Sequence, residues 1–390
     1  MDETRRLERL AELERYRSMT REAAAIHGVS LGQDAWRRLR RDRVAMMSLL
    51  LLLVIGLSAF LAPLLPLQSP RAQLTARNYE APSLSSYGPP LELVDSLGTR
   101  QEPLPDFSAR VSELWGPKLD QLSKGMIYLR ALLFGDYCLP SICGTDELGR
   151  DLLARLVWGA RISLLVGGVA TLVSLIIGVS YGATAGYLGG RIDNLMMRFV
   201  DVLYSVPFFC VVLFLISILG EDTTKVAALG DLTVKKYLDH IGVDRLMIFF
   251  LVIGAIFWLT MARVVRGMVI SLKHEQFIEA ARTIGAGRTR IIFRHLVPNV
   301  LSIVIVYLTL TIPSVMLFEA FLSFLGLGVD PPDASWGLLA SDATKVITPV
   351  RIYWWLVLFP GAALSVTLFS LNFLGDGLRD ALDPRMKNRG

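Results

Sequence analysis

Residues Glu279–Asn299 read EAARTIGAGRTRIIFRHLVPN, a basic, helix-prone segment between apolar runs that stop at Ala262 and resume at Leu296. Arg282, Arg288, Arg290 and Arg294 exclude it from a membrane span, because each would cost roughly 2.5 to 3.5 kcal/mol at mid-bilayer. It therefore sits in water, on one side of a membrane. Phe277, Ile278, Ala281 and Ile284 recur at helical spacing and predict a shared apolar face, with Glu279, Ala280 and Arg282 beside it. Gly285 and Gly287 then interrupt, and Ile291, Ile292 and Leu296 predict a second short helix. Glycine accepts positive φ at little cost, so Gly285 is placed to turn the chain. Pro298 suits the first turn of the apolar helix that follows. The expected product is an amphipathic bracket offered to a soluble partner; the plain alternative is a basic loop of the kind that flanks most membrane spans.

Outside this stretch the composition is that of a membrane protein. Of 390 residues, 53% are hydrophobic and 19% charged, against about 25% charged in soluble domains. The net charge of +5 does not imply nucleic acid, since Lys and Arg cluster beside apolar runs, where bilayer orientation explains them. Cys210 lies in an apolar run as a small hydrophobe, while Cys138 and Cys143 stand in a polar loop where a bridge is open in an oxidising compartment. A metal pair is not indicated, because no second Cys or His pair accompanies them.

Taken in order, residues 1–43 form a charged N-terminal extension with Leu7, Leu10, Leu13 and Tyr16 at spacings of three, too charged for a cleavable signal. Val44 to Leu67 is the first span. Arg37, Arg38, Arg40, Arg41 and Arg43 before it place the N-terminus inside. Residues 68–160 make a long external loop, long enough for a small folded cap. Residues 161–390 hold the core, with spans expected at Ser163–Gly190, about Leu195–Leu219 with a kink at Pro207, Leu246–Ala262, Leu296–Phe318 and Ile352–Gly375. Gly220–Arg245 is expected outside, and Glu319–Gly337 as an outer loop dipping back into the interface. From Arg263 to Arg294 there are seven Lys and Arg against two Glu, the mark of an inner segment. The sum is an all-α polytopic protein of six transmembrane helices, both ends inside, with an inner segment at 263–295. Gly178, Gly182, Gly186 and Gly190 fall four apart and predict a smooth ridge for close helix packing, although glycine is also simply common in membrane helices.

Four stretches carry a resemblance. Glu279-Ala280-Ala281, Gly285 and Pro298 have the spacing of the EAA loop of binding-protein-dependent ABC importer permeases, with His295 and Val297 where the broad pattern has an apolar residue and a leucine. GTDELGRDLLARLVWGARISL (144–164), EAFLSFLGLGVDPPDASWG (319–337) and GDGLRDALDPR (375–385) resemble the peptide branch of that family. The likeness covers residues 144–386 closely, apart from about 221–245, and the first span loosely. It implies one permease half of an ABC importer, coupled through Glu279, Ala280, Ala281, Arg282, Gly285, Arg294 and Pro298 to two ABC ATPase subunits. It also implies a homologous second permease subunit and an external substrate-binding protein. The substrate would be a di- or oligopeptide, the alternatives a nickel complex or a peptide-like antibiotic. ATP and Mg²⁺ would belong to the partner ATPases and no cofactor to this chain, which has no G-x-x-x-x-G-K-[ST] phosphate cradle.

Two other classes fit less well. An ion-coupled secondary transporter would carry ionisable groups near mid-membrane, whereas Asp201 and Glu319 fall near expected span ends. A membrane enzyme lacks support from the scattered His27, His240, His274 and His295, and Asp146 and Asp151 beside Arg150 read as salt-bridge and cap residues before an acid/base pair. Ser205, Ser217, Thr260, Tyr307, Thr311, Ser314 and Asn372 are polar and within or near spans, so they are candidates for a pore or for helix contacts.

Overall fold

In a bilayer every backbone N–H and C=O must be satisfied within the segment, so the apolar runs fold as helices. A computed structural model describes residues 31–84, 91, 93, 107–116, 119–207, 209–211, 245–329, 331, 333–346 and 351–382. In chain order the helices are α1 (Leu31–Leu39), α2 (Arg43–Phe60), α3 (Phe107–Trp115), α4 (Gln121–Phe134), α5 (Leu152–Leu188), α6 (Gly190–Ser205), α7 (Arg245–Leu272) and α8 (Gln276–Thr283). They continue with α9 (Arg288–Phe324), α10 (Trp336–Lys345) and α11 (Trp354–Leu382). No strand occurs among the described residues beyond the isolated bridge Thr145–Asp151. Among the described residues, five helices, α2, α5, α7, α9 and α11, are long and apolar enough to cross a membrane.

Close contacts set the directions. Gly254 of α7 lies against Ala170 and Val173 of α5, Gly178 against Trp258 and Met261, and Gly186 against Arg266 and Val269. Both helices therefore advance together and run parallel. A return must separate them, and α6 supplies its beginning, antiparallel to α7, through Asp193 to Arg266 (2.5 Å) and Asp201 to Arg263 (2.8 Å). The helix ends before Pro207, and residues 212–244, which hold the rest of the expected third span and the outer segment after it, lie outside the described residues. Gly167 meets Met316, Gly375 meets Thr309, and Gly377 meets Ala45 and Asp42. The chain thus alternates through α9, α11 and α2, with Arg43, Leu188, Leu272 and Leu382 at one end of the bundle, the bracket end.

Several boundaries differ from expectation. The second span begins at Leu152 and not Ser163, because Asp151 caps it (Ala154 N donates to Oδ2, 2.8 Å) and the charges of its first turns are paired. α7 runs ten residues past Ala262, carrying Arg263 and Arg266 on its flank against α6. Glu319 is not the end of its span; α9 continues to Phe324, and α10 replaces part of the expected loop. The loop of residues 68–160 does hold a small core at the opposite, cap end. Leu93, Val111, Trp115, Ile127 and Ala131 pack together there under Trp158 of α5. Of the N-terminal extension only α1 is described; its Ala35 and Leu39 pack on Leu374, Leu378 and Leu382 of α11.

Candidate functional site

The bracket is built from the end of α7 onward. α8 carries one buried stripe, Ile278 and Ala281, set into a core with Val265, Val269, Ile291, Ile292, Leu296, Val300 and Val304. Burial of that stripe fixes the helix to the ends of α5, α7 and α9. At its C-terminus Ala286 N donates to Ala281 O (3.0 Å) and Gly285 N to Arg282 O (2.9 Å), with Gly285 at φ +84°. This is a Schellman turn, and the left-handed residue it demands is the glycine. A side chain at Gly285 would touch nothing within 4 Å, so backbone conformation and not space selects glycine there.

The turn also corrects the expected apolar face. Ile284 sits beyond the last helical residue and is swung out to 87% exposure, and Phe277 is 40% exposed. The second short helix is not separate either. Arg288 begins a helix continuous with the span, which widens to a π turn over Ile291–Leu296, where Val297 N bonds to Ile292 O. Pro298 explains the widening: it has no N–H for the carbonyl four residues back, and its ring would collide there in a regular α turn. Glu279, Ala280, Arg282, Arg294 and Pro298 are all exposed. Arg282 lies over the Tyr187 ring at 5.3 Å, tying α8 to the end of α5.

Residues 174–388 match the sequence family of binding-protein-dependent transport system inner membrane components, and residues 30–82 match the N-terminal TM domain of oligopeptide transport permease C. The chain belongs to this transport family. The dipeptide transport system permease protein DppC of Bacillus subtilis is 36% identical over 94% of this chain and 90% of its own length. Oligopeptide transport system permease protein OppC of Escherichia coli is 38% identical over 93% and 94%, and that of Haemophilus influenzae 46% identical over 62% and 70%. This inner-membrane transport component is thus a multi-pass membrane protein, and its bracket falls inside the matched region.

Within the permease, the predicted glycine ridge divides. A Cβ at Gly182 would lie 2.3 Å from Ala262 O, one at Gly178 2.6 Å from Met261 Cβ and one at Gly186 2.8 Å from Arg266 O, so α7 rests directly on these three. Gly190 is not part of the ridge: nothing lies within 4 Å, and at φ +59° it serves the turn between α5 and α6. Cys138 and Cys143 are unbridged. Cys138 belongs to the cap core and accepts from Arg130 Nη2 (3.3 Å), whereas Cys143 packs with Leu152 and Trp355 in another cluster. Five residues of separation do not outweigh burial in different cores.

Asp146 pairs with Arg150 and Asp151 caps a helix, the salt-bridge and cap roles expected of them, but the longer-range links that lock the cap end were missed in the sequence. Asp146 Oδ2 accepts from Arg150 Nε (2.7 Å) and Arg155 Nη1 (2.6 Å), and Arg155 Nη2 reaches Asp342 on α10 (3.4 Å). Arg130 is fully buried with no ion pair among the described residues; it donates to the Leu65, Leu67 and Tyr137 carbonyls. Glu319 Oε1 accepts from Ser323 (2.7 Å) and Ser335 (2.8 Å), and Ser335 Oγ in turn caps α10. Burial pushes the Asp151 carboxyl up to about 6, despite the hydrogen bond from Ala154. The only sequence signal was the density of Asp and Arg around Asp146; partners such as Asp342, 187 residues from Arg155, leave no local trace.

Proposed function

We propose that this chain is the permease subunit of an ATP-binding-cassette importer that carries di- or oligopeptides across the bacterial cytoplasmic membrane. A homologous second permease would complete the pathway, an external binding protein would deliver peptide, and two separate ATPases would hold the ATP and Mg²⁺. The bracket end faces the cytoplasm in this reading, supported by the concentration there of Arg263, Arg266, Lys273, Arg288, Arg290 and Arg294. Peptide as cargo is supported by relatives named for dipeptide and oligopeptide transport that align over nearly the whole chain.

One observation carries the coupling. The inner stripe of α8 is locked into the transmembrane core, while Glu279, Arg288, Arg290 and Arg294 on the outside make no ion pair among the described residues. A rigid lever with an unspent outer face suits a groove on a moving ATPase, which would rock the spans between inward-open and outward-open arrangements. Gly285→Val forces a β-branched residue into the left-handed region, at a cost of about 1–2 kcal/mol, and unseats the turn. The variant is expected to insert and assemble normally but to lose peptide-stimulated ATP hydrolysis in the reconstituted complex. Stimulation at the wild-type level would overturn the coupling role.

A further inference from the structure

Between α9 and α11, near the bracket end, lies an open cavity of about 370 Å³, inside the range of roughly 300–1,000 Å³ for small-ligand sites. Ser302, Ile303, Val306, Tyr307 and Leu310 of α9 face Arg379 of α11 across it. At 100° per residue, Ser302 and Val306 stand on the side of α9 away from Val300 and Val304, which fill the core against α5 and α7. The cavity therefore lies on the side of α9 away from α5 and α7. Its depth follows from Gly377, which abuts Asp42, the cap residue of the first span α2, so Arg379 two residues later lies near the membrane boundary.

Arg379 is exposed and has no ion pair among the described residues. That separates it from the arginines at the same end that touch α6: Arg266 is bidentate to Asp193 and Arg263 pairs with Asp201. The candidate pore residues also separate. Thr311 and Ser314 hydroxyls donate back to the Tyr307 and Leu310 carbonyls of their own helix, while the Tyr307 side chain is among those that line the cavity. A guanidinium with no ion pair among the described residues, lining one cavity with a phenol, a serine and apolar side chains, matches an anionic group on a partly apolar molecule.

We propose that this cavity is a station on the inner part of the peptide's path, at which Arg379 engages the C-terminal carboxylate while Ile303, Val306 and Leu310 accept side chains. The inference rests on the importer reading above, and deepens it by naming where cargo is held. The alternative occupant, an anionic phospholipid headgroup, is distinguished in the test. In a Cys210→Ser background, Ser302→Cys in the full complex is placed in vesicles of phosphatidylcholine alone or with phosphatidylglycerol. Its labelling rate is followed with a thiol reagent applied from the bracket side, with trialanine or trialanine amide added.

Trialanine is expected to slow labelling at least fivefold and its amide not at all. The protection should vanish in Arg379→Gln and persist in Arg379→Lys. Equal rates with and without trialanine, or protection by phosphatidylglycerol alone, would overturn the station. Uptake of trialanine by the wild-type complex is measured in parallel: if ATP-driven uptake is absent the importer reading fails, and if uptake is present while labelling is indifferent to peptide, only this inference fails.

Discussion

At the cap end, Asp146, Arg150 and Arg155 are each at most 5% exposed and bound to one another; at the bracket end, Arg288, Arg290 and Arg294 stand in solvent without an ion pair among the described residues. Burial obliges charge to find a partner in the same chain, because an unpaired buried ion costs several kcal/mol. Solvent imposes no such demand, so exposed charge remains available to another molecule. The contrast marks one end as scaffold and the other as a surface for assembly, although both are rich in arginine.

The sharpest way to break that contrast is to remove the hub of the buried network. Asp146→Ala leaves Arg150 and Arg155 inside without their shared carboxylate, and a loss of about 3–5 kcal/mol is expected, seen as a collapse of the melting temperature in detergent or failure to accumulate. A melt like wild type would mean the network is a passive decoration.

A smaller effect distinguishes Asp151, also at the cap end. Its folded-state carboxyl titrates at about 6, above the ordinary 3.8, so the native protein holds a proton that the unfolded chain has released. Stability from this group is present below about pH 4 and is lost as pH rises to about 6. Asp151→Asn keeps a capping oxygen and abolishes the effect. The melting temperature of wild type relative to this variant should therefore fall across pH 4–6 and then level; a flat difference would place the carboxyl in the usual range and remove the distinction.

The smallest effect belongs to the bracket. Arg290→Gln should shift stability by no more than about 0.5 kcal/mol, while reducing retention of the ATPase subunits on purification, most clearly at raised salt. A large thermal shift would show that this end, too, is held together by its charges.

Part of this was legible in one dimension. Ile278 and Ala281 could be assigned to a buried stripe by period, and Gly285 to a turn by its freedom at positive φ, because both properties belong to neighbours along the chain. Ile284 escaped the same logic: the Schellman turn that the glycine permits rotates it off the face. Gly178, Gly182, Gly186 and Gly190 share one spacing, yet the last lies beyond the helix end and packs against nothing. Charges misled about span boundaries as well, since Arg155 was read as outside the second helix when pairing with Asp146 lets it lie within.

Sequence alone determined the helical, multi-pass character of the chain, the hinge at Gly285 and the water-facing fate of the arginines around it, because hydropathy, glycine freedom and charge solvation act residue by residue. Tertiary structure decided which arginines are spent internally and which remain open: Arg155 finds Asp342 and Arg266 finds Asp193 only once helices far apart in the chain have packed, and Arg379 lines a cavity without an ion pair among the described residues.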